Sequence, residues 1–370
     1  MSKNLDTADE TYMRRALELA ERGLGRTSPN PMVGAVVVKA GRILAEGYHR
    51  RAGGPHAEAM ALKKAGPKAN GATLYLNLEP CCHLDKRTPP CAPLIIKSRV
   101  RRVVIAMRDP NPRVNGKGIA LLRRAGVQVA QEVLKREALR LNEVYIKYVT
   151  TGRPFVISKT AMSLDGKIAS AKGSTTWITG EKARLKAHRL RDRSDAILVG
   201  IQTVLTDDPK LTTRLPGIKG RDAHRVVVDS TLKVPPTACL LTQKSNAKTI
   251  IATTRRAHPN RIRALEQAGA TVWVIKDQAG RVSLPELMSR LGDMGVASVL
   301  IEGGGELNAS AFRSDIVDKL VWFIAPKIIG RKDAVAVIEG AVRGDPGESI
   351  MIQDLSILRV GEDLMLEGYL

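Results

Sequence analysis

Aromatic side chains are scarce in this chain: three Phe, three Trp and six Tyr make up 3% of 370 residues. A surface that grips single-stranded nucleic acid by stacking bases is therefore a poor expectation, since such platforms need several exposed rings. Cysteine is scarce too. Four in 370 residues, three of them between Cys81 and Cys91, suit a reducing compartment better than a disulfide scaffold. No apolar run approaches the roughly 20 residues a membrane-spanning helix needs. The opening stretch, Met1 to Glu10, lacks the charged and apolar regions of a signal peptide. The expectation is a soluble, cytoplasmic protein without a membrane partner. Acidic residues are in deficit, 37 against 59 Lys and Arg, for a net charge of +22. That excess is spread along the chain, as in Arg99-Val100-Arg101-Arg102 and Arg184 to Arg193, rather than gathered in a tail. Dispersed charge steers anions and keeps proteins in solution, so small phosphorylated ligands are expected and nucleic acid is not the expected main partner.

Against these absences stands one dense constellation: His56-Ala57-Glu58, then Glu79-Pro80-Cys81-Cys82-His83, then Pro89-Pro90-Cys91. One imidazole and two thiolates make three ligands of a tetrahedral zinc ion and leave the fourth position to solvent, which is the catalytic rather than the structural arrangement. Glu58 lies two residues beyond His56, near enough to shuttle a proton without occupying the metal. His-x-Glu followed by Pro-Cys is the signature of zinc nucleobase deaminases. A closed zinc staple built from Cys81, Cys82, His83 and Cys91 is the alternative, but it has no use for Glu58. Cys239 stands apart and is expected to be a buried apolar residue.

Periodicity organises the rest. Asp9 to Glu21 carries Met13, Ala16, Leu17 and Ala20 at helical spacing. Val33 to Val38 reads as a buried strand, with Ile43 to Tyr48 as its hairpin partner across Gly41. A helix from His56 to Ala65, a strand Thr73 to Leu78, a helix Cys91 to Lys97, a strand Arg102 to Met107 and a helix near Gly118 to Ala125 complete an α/β layer sandwich. Thr150-Thr151-Gly152-Arg153-Pro154 is a turn-rich connector, so residues 1–149, 150–154 and 155–370 are first domain, linker and second domain. In the second, strands are expected at Phe155 to Thr160, Asp195 to Val199, Arg225 to Asp229, Thr249 to Thr253, Thr271 to Ile275, Ser298 to Glu302 and Lys319 to Ile324. Helices fall at Glu181 to Arg193, Asn260 to Ala268, Leu284 to Leu291 and Glu306 to Phe312. This alternation implies a mainly parallel, doubly covered sheet. Asp333 to Leu370 is expected to close the domain with further strands.

Gly303-Gly304-Gly305 follows a strand and precedes a helix, where backbone N–H groups cradle phosphate; three glycines also simply make a tight turn. Lys159 to Ala169 and Leu205 to Thr212 are polar clusters at strand-to-loop transitions, the usual place for function on a rigid sheet. Arg191 and Arg214 are each suited to bidentate phosphate binding, and each alone reads equally as solvated surface charge. Asp207-Asp208-Pro209 also fits a plain turn, and Trp177 fits either a cofactor stack or a core.

Together these segments resemble the bifunctional deaminase/reductase family of bacterial riboflavin biosynthesis, from about Tyr12 to Gly330. The matching motifs are Asn30-Pro31-Met32-Val33-Gly34, Pro55-His56-Ala57-Glu58, Glu79-Pro80-Cys81, Thr88-Pro89-Pro90-Cys91 and Asp109-Pro110-Asn111-Pro112, then Ser163-Leu164-Asp165-Gly166, Trp177-Ile178-Thr179, Asp207-Asp208-Pro209 and Glu302-Gly303-Gly304. The resemblance implies a cytidine-deaminase-like three-layer α/β/α domain followed by a dihydrofolate-reductase-like α/β domain, with one zinc ion and NADPH as cofactors. It implies His56, Cys81 and Cys91 as zinc ligands, Glu58 as proton shuttle, and Asn30, Asp109 and Asn111 near the pyrimidine or its ribose. Lys159, Thr175, Arg191, Leu211, Arg214 and Glu302 would meet the phosphorylated substrate. Ala161, Trp177, Thr203, Asp207, Ser230 and the run Gly304, Gly305, Glu306, Leu307, Asn308, Ala309, Ser310 would meet NADPH. The implied reactions are deamination of 2,5-diamino-6-ribosylamino-4(3H)-pyrimidinone 5′-phosphate, then reduction of its ribosyl group to ribityl, in a chain expected to form homo-oligomers. One departure matters: nine residues separate Cys81 from Cys91, one more than the family pattern. The extra residue lies in Leu84-Asp85-Lys86-Arg87. Counting back from Cys91 selects Cys82 as the ligand. Counting forward from Glu79-Pro80 selects Cys81, which is the expected ligand because a surface loop absorbs one residue cheaply. Two competitors from other classes are an RNA-editing adenosine deaminase, whose signature has only two residues between its cysteines, and a non-catalytic nucleotide-binding protein that keeps the fold.

Overall fold

A computed structural model describes residues 6–83, 89–169, 177–342 and 348–370; the Leu84 to Arg87 segment and Thr175 lie outside the described residues. The chain divides into two compact units, Met1–Gly152 and Arg153–Leu370. In the first, the elements are α1 (Asp6–Glu21), β1 (Gly34–Lys39), β2 (Arg42–Tyr48), α2 (Ala57–Ala65), β3 (Thr73–Leu78), α3 (Cys91–Lys97), β4 (Arg102–Met107), α4 (Lys117–Arg124), β5 (Gln128–Gln131), α5 (Lys135–Leu141) and α6 (Glu143–Thr151). Thr150 and Thr151 are thus helical, not part of the connector. α6 runs on until Gly152, at φ 70°, terminates it with a left-handed cap.

The first sheet has the order β2-β1-β3-β4-β5. β1 pairs antiparallel with β2 and β3, while β3, β4 and β5 are parallel. α1 packs with α5, while α2 packs with α3 and α3 with α4, so the sheet is covered by two helical layers. Contact is closest at Gly34, where a β-carbon would meet the carbonyl oxygen of Ala16 at 1.9 Å. At Gly47 it would meet that of Ala57 at 2.4 Å, so the first turn of α2 lies directly on β2. β3 reads Thr-Leu-Tyr-Leu-Asn-Leu, and five of its six residues are buried, as a central strand between two helical layers requires.

The second unit contains β6 (Phe155–Ser163), β7 (Lys167–Ala169), α7 (Glu181–Arg193), β8 (Ala196–Gly200), α8 (Ile201–Asp207), β9 (His224–Val228), α9 (Cys239–Thr242), β10 (Thr249–Thr253), α10 (Pro259–Gln267), β11 (Thr271–Val274), β12 (Asp277–Gln278), β13 (Arg281–Val282), α11 (Leu284–Asp293), β14 (Ser298–Ile301), α12 (Gly305–Arg313), β15 (Lys319–Ala325), β16 (Val335–Ala336), β17 (Gln353–Val360) and β18 (Asp363–Tyr369). Its nine-stranded sheet runs β11-β10-β9-β8-β14-β6-β15-β18-β17. Strands β11 through β15 in that order are parallel, and the β17–β18 hairpin closes one edge antiparallel. Alternate residues of one strand feed different cores: Ala196 and Leu198 pack with Leu287, Leu291 and Phe312, whereas Ile197 and Val199 pack with Leu232, Leu240 and Leu265. Burial on both faces explains the unbroken apolar runs, each fully buried Leu, Ile or Val contributing about 1.5–3 kcal/mol.

Two expectations need correction. Leu205, Thr206 and Asp207 belong to α8 rather than to a loop. Only Val204 of that helix is buried, so its apolar signal is a single residue. Cys239 opens the short α9 and is only partly buried, because it is Leu240, next in sequence, that enters the core.

Candidate active sites

In the first unit three element ends converge. β3 delivers Cys81 just past the carboxyl edge of the sheet, α2 begins behind His56 as its extended N-cap, and α3 begins at Cys91 itself. The His56 Nδ1 lies 3.3 Å from Cys91 Sγ and 3.6 Å from Cys81 Sγ. Tetrahedral donors about 2.3 Å (sulfur) and about 2.0 Å (nitrogen) from a common centre stand about 3.6 Å apart, so the donor set fits zinc. Among the described residues the cluster of potential metal ligands comprises His56, Cys81 and Cys91. Cys82 turns away, its Sγ 4.0 Å from the carbonyl oxygen of Arg113, and His83 is also outside the cluster, so the closed staple does not assemble.

Glu58 sits in the first turn of α2 and is 3% exposed, with Oε2 buried and unpartnered. Burial, then the charge of Cys81, pushes its carboxyl above the ordinary value. A dry carboxyl with an unspent oxygen beside three metal donors has the properties of a proton carrier.

Other side chains wall the same edge. His49 donates from Nδ1 to the Pro55 carbonyl at 3.0 Å, which leaves Nε2 to accept from Asn30 Nδ2 at 3.3 Å. Its ring meets that of His56 edge-on at 5.5 Å. The Asn30 loop is clamped from two sides. Asn77 accepts from Gly34 N and donates to Met32 O, while Asn142 accepts from Met32 N and donates to the same carbonyl. Asp109 accepts from Asn111 N at 2.9 Å and Tyr145 Oη at 2.8 Å, and burial pushes its carboxyl up to about 6. Glu79 accepts from the N–H groups of Asp109, Gly116 and Ile119, sewing the end of β3 to the loop after β4. Asn30, Asp109 and Asn111 therefore gather on the edge that holds the donor cluster. Sequence reasoning missed His49 and Tyr145. A lone His carries no spacing signal, and Tyr145 is brought in by a helix without a buried stripe.

In the second unit Glu302, at the carboxyl end of β14, binds two cations. Arg191 of α7 donates from Nε and Nη2 to its two oxygens at 2.7 and 2.9 Å, and Lys159 of β6 donates at 3.3 Å. Burial opposes ionisation of Glu302, but Arg191 and Lys159 overcome it and hold the carboxyl far below its usual range. Arg191 Nη1 is bound to the Thr212 carbonyl at 3.0 Å, so its fork is spent within the protein. Arg214, by contrast, is exposed, and its guanidinium has no partner among the described residues. Leu211 is buried at φ 52°, a left-handed conformation that costs a leucine strain and marks a constrained loop.

A cleft of about 170 Å³ is lined by Lys159, Ala161, Trp177, Thr179, Arg184 and Phe323 among others. Trp177 is 70% exposed and Arg184 stacks on it at 4.9 Å, which answers whether this Trp fills a core. Thr203 on α8, Asp207 at its end and Ser230 after β9 lie outside this cleft, along the carboxyl ends of the neighbouring strands. In the run from Gly304 to Ser310, Gly305, Leu307, Asn308 and Ala309 are buried, Glu306 pairs with Arg281 at 3.6 Å, and Ser310 Oγ accepts from Arg313 Nη2 at 3.2 Å.

Residues 6–107 match the family described as cytidine and deoxycytidylate deaminase zinc-binding region, and residues 154–366 the family described as RibD C-terminal domain. The riboflavin biosynthesis protein RibD of Actinobacillus pleuropneumoniae is 43% identical over 359 residues, covering 97% of this chain and 94% of that protein. That of Aquifex aeolicus is 42% identical, covering 97% of both. Among solved structures, Acinetobacter baumannii RibD aligns with a TM-score of 0.87 at 35% identity, covering 98% of each chain. A diaminohydroxyphosphoribosylaminopyrimidine deaminase/5-amino-6-(5-phosphoribosylamino)uracil reductase from Thermotoga maritima aligns with a TM-score of 0.84 at 38% identity and the same coverage. With both units matched over nearly their whole length, the chain belongs to the RibD family of riboflavin biosynthesis, a zinc-region deaminase joined to a reductase.

Proposed function

We propose that His56, Cys81 and Cys91 hold one zinc ion and that Glu58 carries the proton in hydrolytic deamination of 2,5-diamino-6-ribosylamino-4(3H)-pyrimidinone 5′-phosphate. The observation that carries this reading is the donor cluster with the unpartnered Oε2 of Glu58 beside it. Zinc bound there supplies a Lewis acid that makes water nucleophilic near neutral pH. Glu58 removes a proton at the attacking oxygen and returns it to the exocyclic amine, so that ammonia leaves; one carboxyl acts first as base, then as acid. Asn30, oriented by His49, and Asp109, oriented by Tyr145 and the N–H of Asn111, hold the ring and ribose in register with that carboxyl.

The aminouracil product is the substrate of the second unit, where NADPH supplies the hydride that converts the ribosyl group to ribityl. Arg214 and the backbone around Leu211 receive the 5′-phosphate, and Glu302 keeps Arg191 and Lys159 in place at the floor. Trp177 and Ala161 border the nicotinamide, while Thr203, Ser230 and the start of α12 carry the rest of the cofactor. The match to two families, one in each unit, favours this reading over an RNA-editing deaminase or a non-catalytic relative.

The test monitors ammonia release without NADPH and NADPH oxidation once it is added. Glu58→Gln should end ammonia release, retain zinc and leave reduction of the deaminated intermediate intact. Loss of both activities in a folded variant would refute independent sites. The cytoplasm is the proposed compartment; among the described residues no helix is long and apolar enough to cross a membrane. A homo-oligomer is proposed through β17, an edge strand exposing Leu355 and Ile357 at 52% and 61%. Ile357→Lys should then lower the mass seen by light scattering, and an unchanged mass would place the contact elsewhere.

A further inference from the structure

We infer that His188 is a positioning residue for the reductase: its ring fixes the backbone of Arg214, so that the free guanidinium of that residue is held in place before a phosphorylated substrate arrives. That role rests on the reading above, in which Arg214 receives the substrate phosphate, and it makes the grip on phosphate a property of α7 as much as of the arginine.

Helix α7 is the mount. His188, Arg191 and Asp192 stand at i, i+3 and i+4, on one face of the helix, and each holds a different point of the loop that carries Arg214. His188 Nδ1 accepts from Arg214 N at 3.3 Å, Arg191 Nη1 donates to the Thr212 carbonyl at 3.0 Å, and Asp192 Oδ1 accepts from Arg221 N at 2.7 Å. Thr213, between the first two anchors, donates from its N–H to Asp222 and from its hydroxyl to the Arg221 carbonyl, both at 2.8 Å. Leu211, where this stretch begins, is buried in its left-handed conformation. Every residue from Leu211 to Arg214 is therefore held, yet the Arg214 side chain is exposed and its guanidinium has no partner among the described residues. A loop fastened at each residue around one unspent fork presents that fork ready-made, because donors fixed in advance lose less freedom on binding.

The bond from Arg214 requires a bare Nδ1, so the ring must be neutral and carry its proton on Nε2. Its surroundings enforce this. Burial, then the charges of Arg191 and Arg214, hold the imidazole down to about 4, with Lys159 acting in the same sense and Glu302 against it. Through the neutral range His188 thus contributes an acceptor and no charge. It is also the anchor on the residue whose donors are free, whereas Arg191 is committed to Glu302 and Thr212.

The test is steady-state reduction, by the full-length protein supplied with NADPH, of the phosphorylated aminouracil and of the same compound without its phosphate. His188→Ala should raise the KM for the phosphorylated compound about 3- to 10-fold, the worth of one net hydrogen bond. Both kcat and the KM for the unphosphorylated compound should stay within about twofold of wild type. His188→Gln, which keeps an acceptor on a side chain of similar reach, should restore the KM. Added to Arg214→Ala, His188→Ala should cost nothing more, because the two residues act as one unit. If His188→Ala is too unstable to assay, His188→Leu, which fills the site without an acceptor, carries the same expectations. Equal KM increases on both compounds, failure of Gln to restore, or effects that multiply in the double variant would mean a merely structural side chain and overturn the assignment. Arg214→Ala with an unchanged KM for the phosphorylated compound overturns the phosphate reading itself; a raised KM there, with His188→Ala at the wild-type value, overturns the role of His188 alone.

Discussion

Replacing Glu302 by Gln isolates the value of one buried charge. The side chain is 8% exposed, and those of Lys159 and Arg191 are each 15% exposed. Gln keeps the shape and one acceptor oxygen but leaves two cations facing each other without an anion. Breaking a buried pair in this way costs about 3–5 kcal/mol, much of it the penalty of the charge left behind. For a unit of this size that is about 2–4 °C per kcal/mol, a fall of roughly 6–20 °C in midpoint. The assay is favoured by the sequence: all three tryptophans, Trp177, Trp273 and Trp322, lie in the second unit, so tryptophan fluorescence follows its unfolding alone. The carboxyl of Glu302 is depressed by its partners despite burial. Its contribution is therefore fully present above the unfolded value of about 4.3 and is lost as pH falls below it, so the gap between variant and wild type should narrow in acid. A loss under about 1 kcal/mol at neutral pH would refute the view that this triad is dry and mutually dependent. Replacing all three residues by apolar ones of similar volume should recover most of the loss.

Four further outcomes are expected from the geometry. Cys81→Ser should abolish zinc binding in metal analysis while Cys82→Ser retains it; the reverse would mean the loop, not the strand, sets the ligand. His188, held down to about 4 by burial and then by Arg191 and Arg214, refuses between pH 6.5 and 4 a proton that the unfolded chain accepts. Stability of the second unit should therefore drop as pH falls through that window, and His188→Gln should flatten the slope; identical slopes would show that the ring is solvated. Gly34→Ala should destabilise the first unit by about 1–3 kcal/mol or more, since its β-carbon meets α1 backbone that cannot rotate aside, and a cost near zero in circular-dichroism melts would deny that α1 docks there. Arg214→Ala should raise the KM of the reductase for its phosphorylated substrate several-fold with an unchanged melt, and an unchanged KM would move the phosphate elsewhere.

Much of this fold was legible because its strands are buried on both faces. β3 runs from Thr73 to Leu78 as the apolar pattern predicts, bounded by Gly71 and by Glu79-Pro80, and β4 and β10 are equally plain. Each is central, so most residues are apolar whichever way they point, and a polar one such as Asn77 is buried with its amide bonded to Gly34 N and Met32 O. What failed to show was held by few buried side chains. α8 buries Val204 alone, and α6 buries none of its side chains fully, so neither displays a stripe. The donor cluster was legible because zinc chemistry restricts both residue type and spacing. Its supports were not: Asn142 reaches Met32 across 110 residues, and Glu79 accepts from Ile119 N across 40, distances over which a sequence carries no local signal.

Arg191 and Arg214 show where the difference lies. In the sequence they are equal, two arginines in a basic chain, each suited to a phosphate. In the structure Arg191 spends both arms of its fork on Glu302 and a third donor on Thr212, while Arg214 spends none. An arginine satisfied in the interior can align a site but has little left for a ligand, whereas one left unsatisfied on a constrained loop has its donors free. Charge alone therefore does not mark the anion sites of so basic a protein. Unspent donors are the better criterion, and of the two arginines proposed for the substrate phosphate Arg214 is the one that has them.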